Sequence, residues 1–275
     1  MTIAPVDTSD AATRQRIVEY LRPHETHALF ILGNLKSDRP VNLYAAESGG
    51  DWLGLAAYYP VFKSFNPFSY DPRVSAELAA HVAGLHPDID MLLGMDQIAR
   101  PAFERLASMG YRTDDDLDDV FMELDGVPPP QRWEELGRLY QPSDAEAITR
   151  ILKVMRGGHP SDPLTQGEIE RATSNTSRFV VVKDGQIVAT AGTSGIGISA
   201  CQIIGVATHP DHRRMGYASA ACAAIIRYLA AQGAQKTVLF TGARNVGAQQ
   251  CYLRMGFVIT GKYIVAKLRK DDVPA

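Results

Sequence analysis

Along this chain, apolar positions spaced three and four apart alternate with short continuous apolar runs, the pattern of helices interleaved with buried strands. Ser9 to Leu21 reads as a capped helix, Asn42 to Ala46 and Leu53 to Tyr59 as strands across the turn Ser48-Gly-Gly-Asp51, and Arg73 to Leu85 as a second helix. Ile89 to Leu93 predicts a strand, Ala102 to Met109 a helix and Val120 to Leu124 a closing strand. Three consecutive prolines in Gly126-Val-Pro-Pro-Pro-Gln-Arg132 then remove backbone donors and favour an extended conformation. They predict a linker over 127–132, between domains at 1–126 and 133–275.

The pattern resumes after the linker. Asp144 to Met155 and Leu164 to Ala172 read as helices, and Phe179 to Val182 with Ile187 to Thr193 as a hairpin across Lys183-Asp-Gly185. Gln202 to Thr208 is a strand stopped by Pro210, followed by an Ala-rich helix from about Met215 to Ala231. Thr237 to Phe240 is a strand, Val246 to Arg254 a helix, and Val258 with Lys262 to Leu268 supplies the last strands. Helices alternating with strands in both halves predict an α/β or α+β sheet in each. Ala102 to Tyr111 also aligns with Ala248 to Phe257 at a constant offset of 146, each ending in Met-Gly-aromatic, which points to an internal duplication.

Composition narrows the class. With 275 residues, 45% hydrophobic and 21% charged, the chain is an ordinary globular protein with room for two average domains. No basic start leads into an apolar core and no window suits a membrane span, so no membrane partner and a cytoplasmic location are expected. Cys201, Cys222 and Cys251 are scattered and read as small buried hydrophobes. A net charge of -3 gives no reason to expect nucleic acid, but it hides an asymmetry. Residues 1–126 carry 10 Lys+Arg against 20 Asp+Glu, and 127–275 carry 18 against 11, so a phosphorylated ligand belongs with the second half.

The chemistry concentrates in Ile203-Ile-Gly-Val-Ala-Thr-His-Pro-Asp-His-Arg-Arg-Met-Gly-Tyr-Ala-Ser219. An apolar strand runs through a turn into a helix whose first N–H groups have no intrahelical partner, at the positive end of the dipole. Gly216 and Ala218 allow close backbone approach, and Arg213 and Arg214 add charge, which together suit a pyrophosphate. A surface turn with two solvated arginines is the competing reading of this segment alone. Downstream, Asn245-x-x-Ala248-x-x-x-Tyr252-x-x-x-Gly256-Phe257 puts Ala248 and Tyr252 on one helix face.

In this order, with a strand between them, the two segments resemble the acyl-CoA-binding core of the GNAT superfamily of N-acyltransferases. The first is similar to its Q/R-x-x-G-x-G/A loop and the second to its N-x-x-A-x-x-x-Y-x-x-x-G-F helix. Gly205-Val-Ala-Thr-His-Pro-Asp-His-Arg213 and His27-Ala-Leu-Phe-Ile-Leu-Gly-Asn34 look most like the tandem branch that includes glycine N-acyltransferase-like proteins. The resemblance implies two tandem domains, each a mixed, mostly antiparallel sheet flanked by helices, with a degenerate first copy and a catalytic second one. It further implies acetyl-CoA or another acyl-CoA as co-substrate. Val206, Ala207 and Thr208 would line the pantetheine arm, with Arg213, Arg214, Met215, Gly216, Tyr217, Ala218 and Ser219 at the pyrophosphate. Asn245 and Ala248 would complete the binding set, and Tyr252 would protonate the leaving thiolate.

Thr237 to Phe240 lacks the Glu that many relatives carry as base, and His209 and His212 are weak replacements, so ordered water relaying the proton is expected. In the first half, Leu106 stands where Tyr252 does and Ala99 where Asn245 does, and Phe65 to Ser75 has no R-x-x-G-x-A. Gly192 to Gly197 reverses the dinucleotide fingerprint and reads as a hairpin. Asp114 to Asp119 fits no calcium loop and reads as solvated, and no His or Cys spacing suggests a metal. The expected activity is acetyl transfer to a primary amine of a small, amino-acid-like acceptor. A protein or peptide acceptor, or an acyl-CoA-binding regulatory module without turnover, are the alternatives, and oligomeric state is open.

Overall fold

The computed structural model describes residues 1–35, 40–173 and 177–271, leaving 36–39, 174–176 and 272–275 of the two expected domains outside the described residues. The first half runs β1 (Thr2–Val6), α1 (Ala11–Leu21), α2 (Leu29–Asn34), β2 (Asn42–Ser48), β3 (Asp51–Tyr59), β4 (Ser64–Phe68), α3 (Pro72–Leu85), β5 (Met91–Met95), α4 (Asp96–Ser108), β6 (Tyr111–Arg112) and β7 (Asp119–Asp125). The second runs β8 (Gly137–Leu139), α5 (Ala145–Met155), α6 (Gln166–Thr173), β9 (Arg178–Lys183), β10 (Gln186–Ile196), β11 (Ala200–Thr208), α7 (Tyr217–Ala231), β12 (Lys236–Thr241), α8 (Val246–Arg254), β13 (Val258–Lys267) and β14 (Arg269–Lys270).

Two compact units form, and neither is contiguous. One comprises Met1–Phe121, Phe240–Asn245 and Ile259–Ala275, the other Met122–Leu239 and Val246–Val258. These bounds differ from the expected division at 1–126 and 133–275. The physical cause is long-range strand pairing: β13 runs antiparallel to β5, with Tyr263 opposite Met95 and Lys267 opposite Met91. Ile264, Ala266 and Leu268 accordingly join Tyr44, Phe65, Leu78, Val82 and Leu92 in the core of the first unit. The expected linker is also no loose tether. Within the second unit, Arg227 donates to the Pro128 carbonyl at 2.8 Å and pairs with Glu134.

Both units are mixed sheets with helices packed on them, and the order repeats. In the first, β1-β2-β3-β4 is antiparallel and β4 is parallel to β5; in the second, β8-β9-β10-β11 is antiparallel and β11 is parallel to β12. Helix α3 packs against β2, β3 and β4 in the first, and α7 against β9, β10 and β11 in the second. The Ala-rich sequence of α7 suits that place, because Ala220, Ala221 and Ala223 are buried and let the helix lie close to the sheet. The aligned helices α4 and α8 end alike: Gly110 at φ +91° and Gly256 at φ +95° take the left-handed terminating position, and Tyr111 and Phe257 are buried after them.

The acidic run is exposed at Asp114, Asp115, Asp116 and Asp118, and several of its carboxylates also find partners. In the first unit, Asp115 accepts from the Lys267 backbone N–H at 2.6 Å, Asp114 pairs with Arg269, and Asp116 lies 3.3 Å from Arg244. Asp115, Asp116, Asp118 and Asp119 line a cavity of about 290 Å³ with Arg244 and Lys267. Burial, then repulsion from Asp118, Asp115 and Asp116, raises the Asp119 carboxyl to about 6. Among the described residues no cluster of three or more His, Cys, Asp or Glu is placed to hold a metal, and no helix is long and apolar enough to cross a membrane.

Candidate functional site

The backbone of β11 is irregular in its second half. Gly205 has φ +56°, and the β10–β11 register shifts between Thr190 and Gly192 and again between Thr193 and Ile196. Pairing of β11 with β12 covers Ala200–Gln202 and Lys236–Val238, although β11 continues through Val206, Ala207 and Thr208. The far half of β11 therefore has no ladder to β12 among the described residues. Gly192–Gly197, the glycine-rich stretch, lies in β10 and its turn, where Gly197 donates to the Ala200 carbonyl at 2.8 Å.

From Thr208 the chain turns into α7. A single 3₁₀ turn covers Pro210–His212, with His209 Nδ1 accepting from the Asp211 N–H at 3.3 Å. Arg213 is extended, Arg214 takes a left-handed φ of +63° and Gly216 a φ of +91° directly before the helix. Arg213, Arg214, Met215 and Gly216 are exposed, Tyr217 is buried, and Ala218 and Ser219 are half-buried. Ser219 donates its hydroxyl to the Gly216 carbonyl at 2.8 Å. No acidic residue lies in the first turn of α7 and no side chain caps it, so its N–H groups and positive dipole end stand beside two arginines. A Cβ on Gly216 would meet nothing nearer than Trp133 at 3.9 Å. Glycine is needed there for the backbone angle; the surrounding space is open and suits a bulky anion.

Trp133, which sequence reasoning passed over, holds this turn. Its indole N–H donates to the Met215 carbonyl at 3.1 Å and its ring lies 5.8 Å from that of Tyr217. Trp133 has φ +69°, and Arg132 and Lys183 stand 4.3 and 5.9 Å from its ring centroid. The cationic surroundings of the turn thus exceed the two arginines of the motif. The only available sequence signal was a tryptophan directly after a proline-rich stretch.

Helix α8 presents Tyr252 as its buried residue, 7% exposed, with half-buried Ala248 one turn earlier. Burial, then the neighbouring Cys222 and Cys251, pushes the Tyr252 phenol well above its ordinary value. The hydroxyl therefore stays protonated throughout the neutral range. Asn245 is counted with the other unit, where its amide N–H donates to the Gly242 carbonyl at 2.9 Å and its Nδ2 to Thr241 Oγ1 at 3.3 Å. The chain passes from it directly into α8.

The first unit has the same frame with different chemistry. Leu106, fully buried, occupies the position equivalent to Tyr252. Strands β4 and β5 pair at Ser64–Met91 and Phe65–Leu92, and beyond that Asn66 Nδ2 donates to the Leu93 carbonyl at 3.1 Å. An amide side chain therefore spans the divergence that β11 and β12 leave without a ladder.

The Acetyltransferase (GNAT) family matches residues 144–257, a span holding β11, the turn, α7 and α8. Residues 144–257 are thus similar to the GNAT acetyltransferase family. N-acetyltransferase 8B of Rattus norvegicus is 33% identical over 98 residues, 34% of this chain and 44% of that protein, so the match spans under half of the relative's length. Solved GNAT structures extend the likeness of fold across both units. A tandem GNAT protein from the clavulanic acid biosynthesis pathway has a TM-score of 0.62 at 13% identity, covering 98% of each chain. GCN5-related N-acetyltransferases from Sphaerobacter thermophilus and Kribbella flavida give TM-scores of 0.62 and 0.58 at 16% and 17% identity. They cover 98% and 94% of this chain and 95% of each of those. Apart from Phe240–Asn245, the family match falls within the non-contiguous second unit, where the open turn and Tyr252 lie.

Proposed function

We propose that this protein transfers an acetyl group from acetyl-CoA to the primary amine of a small, amino-acid-like acceptor. The observation that carries the reading is the open, cationic turn before α7 in the same unit as a buried, fully protonated Tyr252. Val206, Ala207 and Thr208 then offer strand backbone to the pantetheine arm, Arg213 to Ser219 take the pyrophosphate, and Ala248 completes the binding set within this unit.

In the reaction, the neutral acceptor nitrogen attacks the thioester carbonyl, a C–N bond forms and the C–S bond breaks. Tyr252 donates its proton to the departing sulfur, and the proton shed by nitrogen passes through water to solvent. The free cysteines Cys201, Cys222 and Cys251 are compatible with a cytoplasmic setting. The first unit serves as a non-catalytic copy.

The test is release of free thiol from acetyl-CoA with a panel of small amines and, in parallel, peptides with free N-termini or lysines. Turnover with small amines supports the reading. Turnover with peptides alone replaces the acceptor class. CoA binding without thiol release from any acceptor overturns the enzyme reading in favour of a regulatory module, which the lack of a carboxylate on Thr237 to Phe240 favours.

A further inference from the structure

Among the described residues, the second unit buries a positive charge that no negative one answers. Arg178 opens β9 and is 4% exposed. Its side chain crosses Gly192, its partner on β10, and reaches Gly205 on β11. A Cβ on Gly192 would lie 2.8 Å from Nη2 and one on Gly205 3.2 Å from it, so two glycines on successive strands form the floor on which the guanidinium rests.

Both of its hydrogen bonds to the protein go through Nη1, to Thr190 Oγ1 at 3.1 Å and to the Gly205 carbonyl at 3.3 Å. The Nε atom is buried with no partner. Among the described residues no carboxylate pairs with this group, and the charged neighbour that acts on it is Arg156, a second cation. Burial and that repulsion lower its value to about 10, which still leaves it charged at neutral pH.

A buried charge without a counterion is costly, and a ligand that supplies the counterion recovers the loss. The free edge of the guanidinium, Nε with Nη2, is the edge a carboxylate can engage with both oxygens. Gly205, whose carbonyl the guanidinium holds, is followed in the chain by Val206, the first residue of the segment assigned above to the pantetheine arm. We infer that Arg178 binds the carboxylate of the acceptor, so that the substrate class is amino carboxylates, α-amino acids or close analogues. The inference rests on the acyl-transfer reading. A guanidinium fixed over β11 would hold the acceptor by one end and leave its amine free to reach the thioester.

The test compares α-amino acids with their own carboxamides as acceptors in the thiol-release assay, first with the unaltered protein. The acid is expected to exceed its amide in kcat/KM by roughly 30-fold or more, the scale of a desolvated charge pair. In Arg178→Met that ratio should fall to about 1, through KM more than kcat. Gly192→Ala keeps the charge but displaces the guanidinium, and should reduce the ratio in a folded protein if Arg178→Met does not fold. Equal turnover of acid and amide by the unaltered protein overturns the inference and leaves the transferase reading standing. If no acceptor gives thiol, the transferase reading falls. Melting temperature with added glycine or glutamate, against glycinamide, then decides the anion site. A rise specific to the acids and lost in Gly192→Ala supports the site, and no rise overturns it.

Discussion

Trp133 donates its indole N–H to the carbonyl of Met215 at 3.1 Å, across 82 positions of sequence. The bond fixes the residue before Gly216, so the cationic turn depends on a side chain outside its own motif. Trp133→Phe keeps a ring against Tyr217 and removes the bond, whose net worth is about 1 kcal/mol. The dissociation constant for CoA should rise about fivefold by calorimetry, and more in Trp133→Ala. An unchanged constant in both variants would mean that the turn holds its shape without the indole.

Gly216 has φ +91° in open surroundings, so a substitution there is resisted by the backbone. Placing a side-chain residue in the left-handed region costs on the order of 1–3 kcal/mol. Gly216→Ala should already lower CoA affinity about tenfold, and Gly216→Val should lower it further. If only bulky replacements weakened binding, crowding of the ligand would be the cause.

Tyr252→Phe removes a hydroxyl and leaves the ring. If the phenol protonates the leaving thiolate, kcat should fall by about 10²–10⁴ with the CoA dissociation constant nearly unchanged. Because burial holds the phenol above its ordinary value, it stays protonated well past neutrality. The ascending limb of rate against pH should then follow the acceptor amine and move when the acceptor is changed. A limb fixed near ~6.5 for every acceptor would direct attention to His209 or His212.

Asp119 titrates at about 6 in the folded chain against an ordinary value of 3.8. The folded state therefore binds this proton more tightly, and the stability linked to it is present below about pH 4 and lost as pH rises through about 6. Asp119→Asn should melt higher than the unaltered protein at pH 7.5, with the difference shrinking as pH falls towards 4. A difference independent of pH would show that Asp119 is not the titrating member of the cavity it shares with Asp115, Asp116 and Asp118.

Strand β13 completes the sheet edge at β5 and brings Ile264, Ala266 and Leu268 into the core. A fragment of residues 1–126 should therefore aggregate or show little cooperative melting. A synthetic peptide of residues 258–271 added in trans should restore a cooperative transition. Full stability of the fragment alone would mean that the exchanged strand is dispensable.

Several elements were readable because their information is local. Helix α8 begins and ends where its spacing predicts, and the β9–β10 hairpin follows from Lys183-Asp-Gly185. Other elements depend on contacts that no window contains. Strand β4 reads Ser-Phe-Asn-Pro-Phe, polar and proline-broken, yet all five residues are buried between β3 and β5. Strand β1 carries Pro5 and lies at a sheet edge, where a missing N–H is tolerated. Arg178 lies one residue before the strand expected at Phe179 to Val182, and Gly192 and Gly205 on two other strands make room for it. The motif residues from Val206 to Tyr252 were legible as types, whereas the indole that secures them was not.

The exchange of β13 also sets an order of events during synthesis. A ribosome making this chain delivers residues 1–121 first, with the hydrogen-bonding edge of β5 uncovered, and must then produce 122–258 before the covering strand emerges. For that interval the nascent first unit carries an open strand edge, the kind of surface that invites mispairing or recruits a chaperone. The family-matched unit lacks nothing beyond Val258, so on the ribosome the later-made half is in a position to finish before the earlier one.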